Sequence, residues 1–151
     1  MLTPEIRDHR GFKLTGLRRF HAIDSAADTI PPQWDEFNGR AVPGSIDAAV
    51  TYGATCQMDK VTRQFEYLTG VEIDSFDSTP ADMGRMIVPP ATYAVFTVET
   101  VDDIPKLWQQ IMMSWIPETG YLPADTPNFE RYDARYSQKK RGPLEVWLPI
   151  A

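Results

Sequence analysis

The segment Phe129-Glu130-Arg131-Tyr132 carries residues whose types and spacing could bind a charged small molecule. Side chains alternate along a strand, so Glu130 and Tyr132 are expected on the same face. If that face lines a cavity, one carboxylate stands in an aromatic wall, and such a site suits a flat, positively charged molecule. A strand glutamate also commonly faces solvent, where Arg131, Arg135 or a lysine could pair with it. The residues alone leave both interpretations of Glu130 open.

The composition predicts a single globular domain over residues 3–151. The chain has 151 residues, of which 42% are hydrophobic and 24% charged, and a chain of this length buries roughly 70% of the surface that it exposes when unfolded. No stretch approaches the ~18 apolar residues of a membrane-spanning helix. The N-terminal residues include acidic side chains and lack the apolar core of a secretory signal. We therefore expect a cytoplasmic protein without a membrane partner.

The charge argues against direct binding to nucleic acid. The formal net charge is −6 and the isoelectric point is near 4.8, whereas nucleic-acid binding depends on Lys and Arg neutralising phosphates. An acidic protein attracts cations instead. The single cysteine, Cys56, excludes an intramolecular disulfide and fits a reducing compartment. Its apolar surroundings predict a small buried side chain rather than a nucleophile.

The first half of the chain reads as strand, helix, strand, strand. The pattern of apolar residues and turn residues predicts a bent strand over residues 3–20 and an amphipathic helix over 24–39. Two further strands follow at 48–56 and 64–73, with a short polar turn between them.

The second half repeats that order. A central strand is predicted over 86–99, and a helix over 102–116 that Pro117 should stop. After a proline-rich loop come strands at 129–136 and 143–150. The basic run Lys139-Lys140-Arg141 is predicted to form the solvated turn between these last two strands.

A shared motif opens both helices and indicates a duplication. Ile30-Pro31-x-x-Trp34 matches Ile104-Pro105-x-x-Trp108. Proline fits the first turn of a helix, and each tryptophan is expected in the core between its helix and the sheet.

The duplication predicts an α+β fold of two strand–helix–strand–strand modules, residues 3–74 and 84–151. Two such units related by a pseudo-twofold axis bring their antiparallel sheets side by side, with both helices on one face. The groove between the modules is then a concave place for a ligand.

Other kinds of chemistry lack a sequence signal. His9 and His21 are isolated, without a second ligand at metal spacing. The chain has neither a nucleophile elbow nor a glycine-rich phosphate loop. The sequence therefore predicts no metal site and no cofactor.

The whole chain resembles the GyrI-like effector-binding domain, which occurs in AraC-type and MerR-type multidrug regulators and as a stand-alone protein. The resemblance is carried by the runs PEIRDHRGFKLTGLRR, FEYLTGVEID, PPATYAVFTVE, IPKLWQQIMMSWIPETGYLPADTPNFERYD and LEVWLPI. It implies the fold of two facing modules and an aromatic groove with an acidic residue for cationic, lipophilic ligands.

The resemblance identifies Glu130 with the groove glutamate of the family, which favours the buried interpretation of this residue. Desolvation among aromatic rings would raise the pKa of the carboxyl and favour a bound cation. For Tyr132, Trp115 and Trp147 the competing interpretation is core packing. The resemblance and the strand positions together predict ligand-binding roles for Glu130, Tyr132, Trp115, Glu145, Trp147, Tyr52, Tyr67 and Tyr93.

Three functions follow as hypotheses, in descending order of preference. The first is a stand-alone protein that binds cationic, amphipathic molecules for sensing or sequestration. The second is a hydrolase of cyclopropane-containing genotoxins in which Glu130 and Tyr132 would be catalytic. The third is an inhibitor of DNA gyrase that acts by protein contact. A helix-turn-helix does not fit the first 20 residues, which read as strand, so we expect no direct contact with DNA.

Overall fold

The computed structural model describes residues 2–137 and 141–151 and has the predicted α+β architecture. Its eight strands are β1 (Glu5–His9), β2 (Phe12–Ala22), β3 (Thr51–Asp59), β4 (Gln64–Ile73), β5 (Gly84–Val88), β6 (Ala91–Val98), β7 (Asn128–Tyr132) and β8 (Leu144–Ile150). Its helices are α1 (Ala26–Asn38), α2 (Ile104–Gln110), α3 (Ile116–Thr119) and α4 (Ala134–Ser137). Lys139 and Lys140 of the predicted turn lie outside the described residues.

All eight strands form one antiparallel sheet in the order β1-β6-β8-β7-β3-β4-β2-β5. The two halves meet where β3 pairs with β7. Each half contributes three adjacent strands, and the edge strand beside them comes from the other half, since β1 pairs with β6 and β5 pairs with β2. The order is therefore symmetric about the β3–β7 junction, as a duplicated chain with a pseudo-twofold axis requires.

Two of the predicted strands are each divided in two. The strand expected over 3–20 turns at Gly11, whose φ of +87° favours glycine and whose added Cβ would lie 2.7 Å from the carbonyl oxygen of Val88. The strand expected over 86–99 is interrupted at Pro89 and Pro90, which cannot donate to a ladder. These breaks produce the exchanged edge strands β1 and β5.

The helix expected to stop at Pro117 instead continues to Thr119. Residues Ile111–Trp115 form a π-helical segment between α2 and α3. A proline removes one backbone N–H and crowds the carbonyl four residues earlier, and a wider π turn relieves this crowding within a continuous helix. The helix ends at Gly120, whose φ is +78°.

The strand expected over 129–136 stops at Tyr132. The side chain of Asp133 accepts a hydrogen bond from the backbone N–H of Arg135, at 2.9 Å, and so starts the short helix α4. The strand therefore ends at Tyr132 because Asp133 caps the helix that follows.

The sheet is covered on one face by helices and closes over a second core on the other. We call the first the helix face, defined by Ala94, Tyr132, Val146 and Val71. We call the second the aromatic face; its buried residues include Phe12, Leu14, Tyr52, Leu68, Tyr93, Phe129 and Trp147. The ring centroids of Phe12 on β2 and Phe129 on β7 are 5.2 Å apart although β3 and β4 lie between these strands, so the sheet is strongly curved.

A buried glutamine fixes α1 to the sheet. The side-chain amide of Gln33 donates to the carbonyl oxygens of Leu17 and Tyr67, at 2.9 and 3.1 Å. Because its N–H groups are used there, its oxygen must accept from Nε2 of His21, 2.6 Å away. The network fixes the position of α1 over β2 and β4.

Replacing Gln33 by methionine should lower the free energy of unfolding by about 2 kcal/mol, because buried polar partners are left unsatisfied. Chemical denaturation in urea would measure the change. Gln109→Met on the exposed side of α2 is the matched control and should have little effect. An equal loss in both variants would mean that the network adds no stability of its own.

Across residues 2–137 and 141–151, none of the helices has the length and the apolar run that a membrane span requires.

Candidate functional site

Glu130 lies at the junction of the two modules, on the helix face of β7. Its pairing partner in β3 is Gly53. Carboxylate atom Oε1 accepts hydrogen bonds from the hydroxyl of Tyr67 at 2.8 Å and from the hydroxyl of Tyr132 at 2.7 Å. The side chain of Tyr67 comes from β4 in the first module, so both modules hold the carboxylate.

Gly53 makes room for this arrangement. A Cβ added at Gly53 would lie 2.0 Å from the hydroxyl oxygen of Tyr67 and 2.9 Å from Oε1 of Glu130. A glycine inside a strand commonly marks such a close approach. The phenol of Tyr67 therefore passes over the backbone of β3 to reach the carboxylate on β7.

The site is a carboxylate held by neutral donors rather than by a cation. Within residues 2–137 and 141–151, no lysine, arginine or histidine lies within ion-pair distance of Glu130. The arginines that the sequence offered as partners are engaged elsewhere: Arg131 with Asp133 and Glu145, both at 3.5 Å, and Arg135 with Asp133.

Burial sets the protonation of the cluster. Desolvation raises the pKa of Glu130, and the hydrogen bonds from Tyr132 and Tyr67 partly oppose that rise. Burial and the neighbouring carboxylate raise the pKa of both tyrosines, so each keeps its proton and donates. Both described hydrogen bonds end on Oε1, which leaves Oε2 as the acceptor for an incoming group.

Two aromatic side chains complete the site, and the sequence reasoning did not select either of them. Trp34, which was expected in the core, donates its indole N–H to the hydroxyl of Tyr67 at 3.2 Å. Its ring also packs edge-on against Tyr132, with centroids 5.2 Å apart. The ring centroid of Tyr136, in α4, lies 4.8 Å from that of Tyr132. Gly53 was the sequence signal for this crowding, because a glycine interrupts the strand opposite Glu130.

Trp115 belongs to the π-helical segment and packs in the core against the helix face. Its ring contacts Phe96 edge-on, with centroids 5.3 Å apart, and stacks on Tyr121, also with centroids 5.3 Å apart. Only 3% of its surface is exposed. This environment matches the core-packing interpretation, and its ligand-binding role stays a prediction.

The other four predicted residues lie on the aromatic face. Paired residues share a face, and Glu130 pairs with Val146. The flanking Glu145 and Trp147 therefore point to the opposite side, where the indole N–H of Trp147 donates to Glu145 at 3.1 Å.

Tyr52 and Tyr93 belong to the same aromatic face. Tyr52 packs edge-on against Phe129, with centroids 5.7 Å apart, and Tyr93 packs against Trp147, with centroids 5.5 Å apart. The structure therefore joins Glu130, Tyr132 and Tyr67 in one site and separates Tyr52, Tyr93, Glu145 and Trp147 from it by the thickness of the sheet. Ligand-binding roles for this second group stay predictions.

The cluster offers one carboxylate oxygen and aromatic surface, which suits an organic cation better than a metal ion. Within the described part of the chain, no group of three or more His, Cys, Asp or Glu side chains is placed to hold a metal. A single carboxylate with two phenols supplies too few hard or soft ligands for a stable metal site.

Comparison with known proteins identifies the family. Residues 5–150 match the family described as "Cass2: Integron-associated effector binding protein". The chain belongs to this family. It is a GyrI-like effector-binding domain, and the resemblance found in its sequence is confirmed.

One relative and two solved structures show the range of this domain. The transcriptional regulator BrlR of Pseudomonas aeruginosa is 32% identical over 154 aligned residues, which cover 96% of this chain and 54% of BrlR. The integron cassette protein VCH_CASS2 of Vibrio cholerae has a TM-score of 0.72 at 19% identity, covering 97% of this chain and 95% of that protein. SAV2435, solved with tetraphenylphosphonium bound, has a TM-score of 0.74 at 16% identity, covering 99% and 94%.

The chain spans about half the length of the relatives that it matches in sequence, and the two solved structures are similar in fold alone. The domain is therefore related to transcription regulators as an effector-binding module.

Proposed function

We propose that this protein binds lipophilic cations between its two modules, at the carboxylate of Glu130, and acts in sensing or sequestration. The observation that carries the proposal is a half-buried carboxylate that accepts hydrogen bonds from two phenol hydroxyls and has no described lysine, arginine or histidine beside it. Such a group keeps an unmet demand for positive charge. The half-buried free thiol Cys56 fits a cytoplasmic location.

The expected affinity follows from simple electrostatics. A unit charge at ~4 Å from the carboxylate contributes about 4 kcal/mol at an effective dielectric of 20. Each aromatic face in contact with the cation adds roughly 0.5–2 kcal/mol, and the rings of Tyr67, Tyr132 and Tyr136 lie around Glu130. After desolvation of the ligand, these contributions amount to roughly micromolar binding.

The same chemistry supports broad specificity. The site contains few hydrogen-bond donors or acceptors beyond Oε2 of Glu130, so shape and charge rather than a hydrogen-bond pattern select the ligand. That SAV2435 was solved with a lipophilic cation is in keeping with the proposal.

Two ions of matched shape and opposite charge test the proposal. Titration with tetraphenylphosphonium should give roughly micromolar binding, whereas tetraphenylborate should bind at least about a hundredfold more weakly, because the carboxylate repels it. Isothermal titration calorimetry measures both. Equal affinity for the two ions would show that hydrophobic contact and shape, and not the charge of Glu130, govern binding.

The alternatives raised by the sequence stay predictions. Hydrolysis of a cyclopropane-containing genotoxin would need a second proton-transfer group at a distance suited to a substrate, and both tyrosines already donate to Glu130. Inhibition of DNA gyrase would need a contact surface that none of the site residues defines.

A further inference from the structure

Trp34 connects the two modules at the carboxylate. Helix α1 packs on β2 and β4 of its own module, and Trp34 packs there with Phe37. Yet its indole ring also rests on Tyr132 of the second module. Trp34 is therefore part of the hydrophobic clusters of both modules.

The indole occupies the space above the sheet beside Glu130. The side chains of Glu130, Tyr67 and Tyr132 lie on the helix face, and Trp34 of α1 packs against the two tyrosines from the side of the helix. Its N–H is bonded to the hydroxyl of Tyr67 and its ring meets the ring of Tyr132. These are the two phenols that hold the carboxylate, so the indole covers both of them beside Glu130.

We propose that Trp34 determines which guests reach Glu130, because its indole must swing away before a bulky cation can enter. This inference rests on the proposed function and adds the residue that controls access to the site. The indole is held by one neutral hydrogen bond, to Tyr67, and by two aromatic contacts, with Tyr132 and Phe37, so the open arrangement is a minor population. The apparent affinity for a bulky cation is then reduced by the fraction of molecules that are open.

The duplication supplies a matched control. Trp108 holds the equivalent position in the motif of the second helix and is likewise half-buried in the core. Within the described residues it makes no hydrogen bond to a tyrosine of the other module, since the indole bonds described are those of Trp34 and Trp147. Replacing Trp108 removes an equal ring without opening the site at Glu130.

Stopped-flow binding of tetraphenylphosphonium to Trp34→Ala and Trp108→Ala tests the inference. Trp34→Ala should associate about tenfold faster than the wild type and bind about tenfold more tightly, because the open fraction no longer limits binding. Trp108→Ala should match the wild type. Unchanged or weaker binding in Trp34→Ala would overturn the inference and make the indole part of the ligand-contacting wall.

A second measurement follows the indole itself and does not need the alanine variant to fold. In the wild type, the indole N–H proton of Trp34 should lose its protection from solvent exchange in NMR spectra when tetraphenylphosphonium binds. In Trp34→Phe, which keeps a ring but loses the hydrogen bond to Tyr67, association should be faster than in the wild type. Retained protection on binding, together with unchanged association in Trp34→Phe, would also overturn the inference.

Failure of the inference can be told apart from failure of the proposed function. If Glu130→Gln weakens binding while Trp34→Ala leaves the association rate unchanged, only the role of Trp34 is wrong. If neither the wild type nor Trp34→Ala binds tetraphenylphosphonium, both are wrong.

Discussion

Glu130→Gln should weaken the binding of tetraphenylphosphonium by about a hundredfold at neutral pH. Glutamine keeps the shape of the side chain, and its oxygen can still accept from the hydroxyls of Tyr67 and Tyr132. What it removes is the negative charge, and loss of a buried charge partner costs about 2–5 kcal/mol. Isothermal titration calorimetry on both proteins measures the ratio of dissociation constants.

Glu145→Gln is the matched control for that measurement. Glu145 is also a half-buried strand carboxylate, but it lies on the aromatic face and interacts with Arg131 and Trp147. Its replacement should leave the affinity nearly unchanged. A similar loss of affinity in both variants would mean that the net negative charge of the protein, rather than Glu130, attracts the cation.

The pH dependence of binding should follow the same carboxylate. Burial raises the pKa of Glu130, so this group becomes protonated at a higher pH than an exposed glutamate does. The affinity of the wild type for tetraphenylphosphonium should fall as the pH is lowered through that raised pKa, and the affinity of Glu130→Gln should stay flat.

Stability should change with pH in the opposite direction. Because the folded-state pKa of Glu130 is raised above the unfolded-state value, the folded protein binds this proton more tightly. Its contribution to stability is therefore present at low pH and is lost as the pH rises through the folded-state pKa. At neutral pH, Glu130→Gln should unfold at a higher temperature than the wild type, and this difference should shrink on acidification.

Much of the fold could be predicted because the two halves of the chain repeat the same order of elements. The paired Ile-Pro-x-x-Trp motifs located both helices, although Pro31 lies inside α1 and not in its first turn as predicted. Residues 64–73 form a strand with the predicted bounds. The breaks at Gly11 and Pro89 were harder to predict, because alternation continues on both sides of them. The exchange of β1 and β5 between modules depends on long-range pairing, which local patterns do not encode.

The composition of the site was predictable only within a strand. Alternation placed Glu130 and Tyr132 on one face, which is confirmed by their shared hydrogen bond. Whether Glu145 or Val146 joins them depends on the register between β7 and β8, and a shift of one residue exchanges the two faces. The contact of Trp34 with Tyr132 depends on how α1 lies over the sheet, and the periodicity of a helix does not give that orientation.

Gly53→Ala should destabilise the protein by about 1–3 kcal/mol and abolish binding at Glu130. In an ordinary strand, glycine to alanine adds stability, by roughly 0.5–1 kcal/mol. Here the added methyl carbon would lie 2.0 Å from the hydroxyl oxygen of Tyr67, and overpacking of this kind costs more than the backbone entropy returns. Urea denaturation gives the stability, and tetraphenylphosphonium titration gives the binding. Gly39→Ala is the control, because its Cβ would make only ordinary contacts from 3.5 Å upward.

A double-mutant cycle with Tyr67→Phe shows whether the clash is the cause. Removing the hydroxyl takes away the atom nearest to the new Cβ, although the ring carbon that bears it, at 2.7 Å, remains close. The pair of substitutions should therefore be less destabilising than the sum of the single changes, by a coupling of about 1 kcal/mol. Additive effects would mean that the methyl group added at Gly53 does not clash with the phenol of Tyr67. The close approach of β3 to the carboxylate would then not be what holds the two modules around the ligand.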